Sequence, residues 1–331
     1  MYSSTFCSFL VIFFSLLSCL FSSNGSLVQN FYATSCPQLE EVVRNITWSR
    51  VASNASHAAK LLRLQFNDCF VKGCEASILL SGIAHDMHSR EVEKDYWMNE
   101  SLNDVYDVYD EIKKEVENQC PNTVSCADIV ALVARDAVSY QYGKSLWEVQ
   151  TGRRDGKIMT AIHDATINLP RVHYDIKRLE HKFGNKGLSI RDLVVLSGAH
   201  TIGVASCESL YSRLNRKNDP YLNTTYVSEL KRKCEVPPYD AQVFFDPITS
   251  FKFDNNYYKL LKKNMGLLET DEALLHDERT AAIVDELAID DNEYFLKEFG
   301  KSMVKLGAVG VLTGEDGEIR KKCWKVNKIN N

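Results

Sequence analysis

Cysteine content constrains this chain more than any other feature of its sequence. Ten cysteines occur in 331 residues. Two of them, Cys7 and Cys19, fall within an uncharged apolar run from Phe6 to Phe21. The run leads into Ser22-Ser23-Asn24-Gly25-Ser26 and is shorter than the ~20 apolar residues that span a bilayer. No basic residue precedes it, yet an apolar core with a small-residue cleavage zone is the pattern of a secretory signal. The expected division is a signal peptide over 1–26 and one mature domain over 27–331. Cys36, Cys69, Cys74, Cys120, Cys126, Cys207, Cys234 and Cys323 then form an even set in an exported chain, which implies up to four disulfides. Roughly a hundred pairings are open to such a set. Only Cys69 and Cys74 are close enough in sequence to suggest a local bridge. Paired Cys-x-x-Cys knuckles are absent, so a structural zinc site is excluded.

Composition narrows the class further. With 45% hydrophobic and 25% charged residues, the chain is neither disordered nor a multi-span membrane protein. A net charge of −5 argues against nucleic acid as a partner. Seven prolines and 16 glycines are too few for a linker-rich architecture. Helical periodicity dominates, with helices expected over 37–52, 57–69, 102–119, 125–140, 174–183, 189–199, 254–263, 277–288 and 291–308. Ser125 and Asp128 form a variant of the capping pattern at one helix start. Short β pieces are expected near 146–151 and 266–270. The fold class is mostly α in one unit. Sequons stand at Asn24, Asn45, Asn54, Asn99 and Asn223.

Two stretches carry chemistry. In Leu62-Arg63-Leu64-Gln65-Phe66-Asn67-Asp68-Cys69, helical spacing puts Arg63 and Asn67 on one face beside Phe66. Asp68, Glu75 and Ser77 then set hard oxygen donors around the Cys69–Cys74 stretch, which can wrap a Ca²⁺ or form a solvated acidic loop. In Asp192-Leu193-Val194-Val195-Leu196-Ser197-Gly198-Ala199-His200-Thr201, a histidine ends an apolar helix beside small residues. It is either a haem ligand or a hydrogen-bonded core residue. His85 and His88 form a close pair in a polar loop, without a third metal ligand.

Read together, these stretches resemble the plant secretory haem peroxidases, the class III peroxidases. The resemblance runs from Asn30-Phe31-Tyr32-Ala33-Thr34-Ser35-Cys36-Pro37 to Cys323. It includes Val124-Ser125-Cys126-Ala127-Asp128, Gly152-Arg153-Arg154-Asp155, Asn168-Leu169-Pro170 and Phe253-Asp254-Asn255-Asn256-Tyr257-Tyr258. It implies a haem-peroxidase fold of about ten or more helices in two lobes around haem b, with short β pieces and two Ca²⁺ sites. His200 corresponds to the proximal iron ligand and Asp271 to the carboxylate behind it. Arg63 and Phe66 correspond to distal residues. Asn99 corresponds to the asparagine that orients the distal base, and Glu93 to the carboxylate linked through water to the distal calcium. Asp68, Val71, Gly73, Glu75 and Ser77 correspond to the distal calcium ligands. Thr201, Asp246, Thr249, Lys252 and Asp254 correspond to the proximal ones. Pro170 corresponds to the lining of the reductant entry. The implied pairings are Cys36–Cys120, Cys69–Cys74, Cys126–Cys323 and Cys207–Cys234, with an Asp128–Arg153 buried ion pair.

One departure matters most. Where the family has its distal histidine, this chain has Asn67, and a carboxamide cannot shuttle a proton near neutral pH. General acid–base catalysis is typically worth about 10²–10⁴-fold, so peroxide activation is expected to be slow. Gln65 replaces a second family histidine, and His57 lies roughly 15 Å upstream along a helix. Glu75 stands where the family has aspartate, and Arg171, Val172 and His173 follow Pro170 where smaller or apolar residues are usual. The expected function is a secreted peroxidase of the cell wall or apoplast, monomeric and free of the membrane after signal removal. It would use H₂O₂ to oxidise small phenolic reductants. The alternatives are a catalytically weak haem- and calcium-binding pseudoperoxidase, and a haem-free calcium-binding structural protein.

Overall fold

The computed structural model describes residues 26–81, 92–215, 222–234 and 241–327. The apolar leader through Gly25, including the Asn24 sequon, and the His85/His88 pair lie outside the described residues. Among those described, thirteen α-helices are joined by short 3₁₀ turns and a single two-stranded sheet. The helices run in chain order α1 Leu39–Ser53, α2 His57–Val71, α3 Tyr106–Gln119, α4 Cys126–Ser139, α5 Ile162–Asn168, α6 Ile176–Gly184 and α7 Ile190–Ser197. They continue as α8 Cys207–Leu214, α9 Thr224–Cys234, α10 Asn256–Leu261, α11 Glu269–Ala273, α12 Glu278–Leu287 and α13 Asn292–Leu306. Strands β1 Val204–Ser206 and β2 Gln242–Phe244 pair antiparallel, with Ala205 opposite Val243.

The nine helices expected from periodicity are all present. The β expectations are corrected. Residues 146–151 form no strand and contribute only a bridge between Thr151 and Val28. The 266–270 segment turns directly into α11, because Asp271 caps the Leu268 N–H at 2.8 Å and a helix start wins over an extended run. The actual strands lie elsewhere and are only three residues long, too short for an alternating pattern to show.

Two main cores flank α2. Leu61 and Leu64 pack with α1, α3 and α4 through Val43, Tyr109, Ile112, Ile129 and Leu132. Leu62, Phe70 and Val71 pack instead with α6, α7, α10 and α13 through Phe183, Val194, Tyr258, Phe295 and Phe299. One helix with two apolar faces therefore forms the partition between lobes, and its remaining side chains are confined to the seam.

Helix α4 is buried along its whole length. Its start is fixed by Ser125 Oγ, which accepts the Asp128 N–H at 3.1 Å. Asp128 is satisfied in turn by Tyr32 Oη at 2.8 Å, the Gly152 N–H at 2.8 Å and the Arg153 guanidinium at 2.7 Å. That many donors make a buried carboxylate tolerable.

All four disulfides implied by the resemblance are formed, Cys36–Cys120, Cys69–Cys74, Cys126–Cys323 and Cys207–Cys234. The pair Cys126–Cys323 closes 197 residues of sequence onto the start of α4. Beside it, Arg320 donates to the carbonyls of Glu75 at 2.9 Å and Ala76 at 2.8 Å. The last described segment thus holds the acidic loop that follows α2.

Candidate active site

His200 sits in the 3₁₀ turn Gly198–Thr201 that continues α7. Helix α7 starts on a reciprocal capping box between Ser189 and Asp192, which fixes where its end falls. Gly198 lets that end approach α10, since a Cβ there would lie 2.4 Å from Tyr258 Oη. His200 Nδ1 lies 2.7 Å from Asp271 Oδ1. Asp271 also accepts from Tyr257 Oη at 3.0 Å and from the Leu268 N–H at 2.8 Å. Burial alone would raise the Asp271 carboxyl. The charge and hydrogen bond of His200, with the Leu268 and Tyr257 donors, outweigh burial and hold it below the ordinary carboxylate value.

Because Asp271 accepts, the ring proton belongs on Nδ1 and the Nε2 lone pair is left free. The His200 ring stacks on Phe245, with centroids 4.1 Å apart and planes 4° from parallel. It keeps 32% of its side-chain surface exposed, and Nε2 has no partner among the described residues. A histidine held this way through Nδ1 has an Nε2 that could bind a metal, with the outer hydrogen bond that would orient it.

Across the seam, α2 presents Arg63, Phe66 and Asn67. Asn67 Nδ2 donates to Asn99 Oδ1 at 2.7 Å, and Asn99 Nδ2 donates to the Glu93 carbonyl at 2.9 Å. Both asparagines are buried. That burial and bonding leave no place for a glycan on Asn99, whereas Asn45, Asn54 and Asn223 are exposed. Arg63 Nη2 donates to the Met98 carbonyl at 3.1 Å and meets no carboxylate among the described residues. Desolvation pushes its pKa below the usual guanidinium value. Phe66 stacks on Phe70 at 4.2 Å. Arg63 and Phe66 are only half-buried on a helix whose other residues near them are buried, so both border open space.

Among the described residues, no other base reaches this face. His57 is occupied at the start of α2, with Nδ1 3.2 Å from the Arg50 carbonyl and Nε2 3.4 Å from Asn54. Gln65 is buried on a different face of α2, towards Gly307. Pro170 is half-buried after α5. Its segment is tied to the Asp271 turn by a Thr270 N–H to Val172 carbonyl bond of 3.1 Å.

The residues assigned to cation sites fall into two groups. Near His200, Thr201 Oγ1 lies 3.2 Å from Asp254 Oδ1 and 3.5 Å from the Lys252 carbonyl. Thr249 Oγ1 lies 2.8 Å from Asp246 Oδ2 and 3.3 Å from Asp254 Oδ1. Five hard-oxygen donors therefore converge, as a Ca²⁺ needs.

In the loop after α2, Asp68 accepts the Ala76 N–H at 3.0 Å and the Ile78 N–H at 3.4 Å. Ser77 Oγ donates to Glu93 Oε2 at 3.1 Å, while buried Glu93 Oε1 has no partner. Burial, with the neighbouring Glu75 charge adding to it, pushes Asp68 up to about 7. Burial and then Asp68 push Glu93 well above its ordinary value. Crowded buried carboxylates with an orphaned oxygen are a setting in which a cation could be held. Its carbonyl donors are engaged differently: Lys186 Nζ donates to the Val71 carbonyl at 3.2 Å, and Gly73 is packed against Gly310. Lys72 Nζ lies 3.0 Å from Glu75 Oε1. Among the described residues, no three His, Cys, Asp or Glu side chains gather to hold a metal by themselves, so both groups depend on hydroxyls and carbonyls.

Sequence reasoning missed four contributors: Phe245 against His200, Tyr257 on Asp271, the Met98 carbonyl under Arg63, and Lys186. Only Tyr257 lay inside a recognisable motif.

The chain matches the peroxidase family over residues 43–290. It is 45% identical to Peroxidase 1 of Arabidopsis thaliana over 301 residues, which cover 89% of this chain and 90% of that protein. Peroxidase 46 of the same plant is 44% identical over 329 residues, covering 97% and 98%. Peroxidase 24 is 44% identical over 315 residues, covering 92% and 88%.

Proposed function

This chain belongs to the peroxidase family, as a haem peroxidase of the plant class III group, and from that premise we propose that it is exported and oxidises small phenols with H₂O₂ slowly. The observation that carries the slowness is Asn67, an amide fixed by Asn99 at 2.7 Å where the resemblance calls for a proton carrier.

The residues fit haem b. His200 offers an unpartnered Nε2, and Arg63 and Phe66 border open space on α2. Haem, when bound, supplies the iron centre that takes oxidising equivalents from H₂O₂ and passes them to a reductant. Asp271 holds the proton on His200 Nδ1 and makes Nε2 a stronger donor. Arg63, free of carboxylates, stabilises negative charge building on the departing peroxide oxygen. Asn67 Oδ1 accepts a hydrogen bond from the peroxide and cannot take its proton. Pro170 lines the approach of the phenol.

Two Ca²⁺ ions complete the reading. One would be held by Thr201, Asp246, Thr249, the Lys252 carbonyl and Asp254. The other would be held by Asp68, Glu75, Ser77 and the Val71 and Gly73 carbonyls, with Val71 first giving up Lys186. Four disulfides support export to the cell wall or apoplast. The Val28–Thr151 bridge ties residue 28 into the fold, which supports a mature chain starting at residue 27.

The test is purification of the full chain and its Asn67→His variant. A Soret band in both, with the variant oxidising a simple phenol about 10²–10⁴-fold faster at limiting H₂O₂, is expected. A variant no faster than the native protein overturns the role of Asn67, and the absence of a Soret band overturns the haem reading.

A further inference from the structure

We propose that the chamber above His200 receives its peroxide as an anion already formed in solution, so that acidic hydroperoxides, the percarboxylic acids, are better oxidants for this protein than H₂O₂. This rests on the haem-peroxidase reading and deepens it by naming the substrate class.

The argument starts from the orientation of two amides. The Glu93 carbonyl can only accept, so Asn99 must turn its Nδ2 towards it, as the 2.9 Å bond requires. Asn99 Oδ1 is then an acceptor, and Asn67 must give it an N–H, at 2.7 Å. One oxygen, Asn67 Oδ1, is left over, with no hydrogen-bond partner among the described residues. The chain of bonds therefore fixes a hydrogen-bond acceptor of negligible basicity in the chamber. One turn earlier on the same helix face stands Arg63, which among the described residues is bound to the Met98 carbonyl and is partly stripped of water. An arriving anion gains the full value of that guanidinium. A neutral hydroperoxide arrives with a proton that none of the described residues bordering Asn67 is placed to accept.

Among the described residues, the titratable groups of the surrounding elements are engaged with other partners or exposed to solvent. On α2, Asp68 faces the Ala76 and Ile78 amides, and His57 is held between Arg50 and Asn54. The Glu93 carboxylate is bonded to Ser77, on the far side of Asn99 from Asn67. On α4, Arg135 pairs with Asp136 and Asp128 with Arg153. On α5, His163 and Asp164 are exposed, as is Glu100 in the turn bearing Asn99. From the α6 side, Lys186 is bound to the Val71 carbonyl. The proton must therefore be lost before entry: the hydroperoxide O–H bond breaks in bulk solvent, its electron pair stays on oxygen, and the proton goes to water or buffer. A percarboxylic acid is a stronger acid than H₂O₂, because its carbonyl withdraws charge from the peroxide, and so supplies more anion at any given pH.

The experiment uses the haem-loaded full chain and has a readout that is not turnover. Hydrogen cyanide is also a weak acid that binds ferric haem as its anion, and its association is followed by the Soret shift. In the native protein the association rate should climb about tenfold per pH unit between about pH 5 and 8, following the cyanide anion. A flat profile there overturns the proposal, and this result needs no variant.

In parallel, the ratio of peracetic acid to H₂O₂ reaction rates is measured near neutral pH. It should be about 10²-fold or more larger in the native protein than in Asn67→His, since the histidine restores the use of protonated peroxide. Equal ratios overturn the proposal. If no Soret band forms, the haem reading itself falls. A Soret band with a flat cyanide profile removes only the substrate preference.

Discussion

The two halves of the candidate active site are built to different standards. Below, His200, Asp271, Tyr257 and the Leu268 amide form a network in which every proton has a defined place. Above, the Asn67–Asn99 pair anchored on the Glu93 carbonyl is equally well bonded, at 2.7 and 2.9 Å, yet neither of its side-chain amides can take up a proton near neutrality. The comparison separates two properties that usually travel together. Hydrogen-bond geometry can be preserved in full while acid–base capacity is removed, because an amide matches an imidazole in donating one bond and accepting another but not in basicity.

The sharpest way to break the comparison is at His200. His200→Ala should abolish stable haem retention, read as loss of the Soret band on gel filtration, while the far-ultraviolet helical signal persists. A retained band would mean that another side chain ligates the iron. Next in size, Asp271→Asn removes the acceptor of the ring proton. It should reduce haem affinity or peroxide rate by about 10–100-fold, measured by haem transfer to an acceptor protein and by stopped flow. An unchanged protein would show that the lower network is ornamental.

Asn99→Ala tests the upper half. It strands the buried Asn67 Nδ2 and should cost about 1–3 kcal/mol of stability by denaturant titration. Its effect on peroxide rate should be steeper in an Asn67→His background, where there is a base to orient.

The smallest effect is expected at Asp192, whose carboxylate caps α7 and meets Lys305 at 2.8 Å. Burial would raise this carboxyl, but Lys305 and Ser189 outweigh it and hold the pKa below 3.8. A depressed folded-state pKa stabilises above the unfolded value and ceases to do so as pH falls through the folded one. Asp192→Asn should therefore cost about 1 kcal/mol at neutral pH, with the gap to native closing below about pH 4 in acid melts.

Much of this architecture was legible in the sequence, for identifiable reasons. The long helices announced themselves because each buries one stripe or, for α4, its whole circumference. The α4 start could be read from Ser125 and Asp128, and the eight cysteines pointed to four bridges whose partners, Cys69–Cys74 apart, came from the resemblance. Asn67 stood out only against the family pattern, since nothing in an amphipathic helix marks one asparagine. Phe245 and Met98 were invisible because they act through a ring face and a backbone carbonyl, to which residue type gives no clue. The short strands were misplaced because three residues cannot display a period of two. Lys186 was missed for a different reason: its carbonyl partner, Val71, is 115 residues away.

The grip of Arg320 on Glu75 and Ala76, locked by Cys126–Cys323, has a consequence for biosynthesis. The loop after α2 emerges early from the ribosome, but Arg320 follows Glu75 by 245 residues. During translocation the loop must wait, unclasped, while that stretch is made. A nonsense mutation between Leu306 and Arg320 would leave every described helix encoded and this early loop permanently open, so quality control in the exporting compartment should destroy the shortened product.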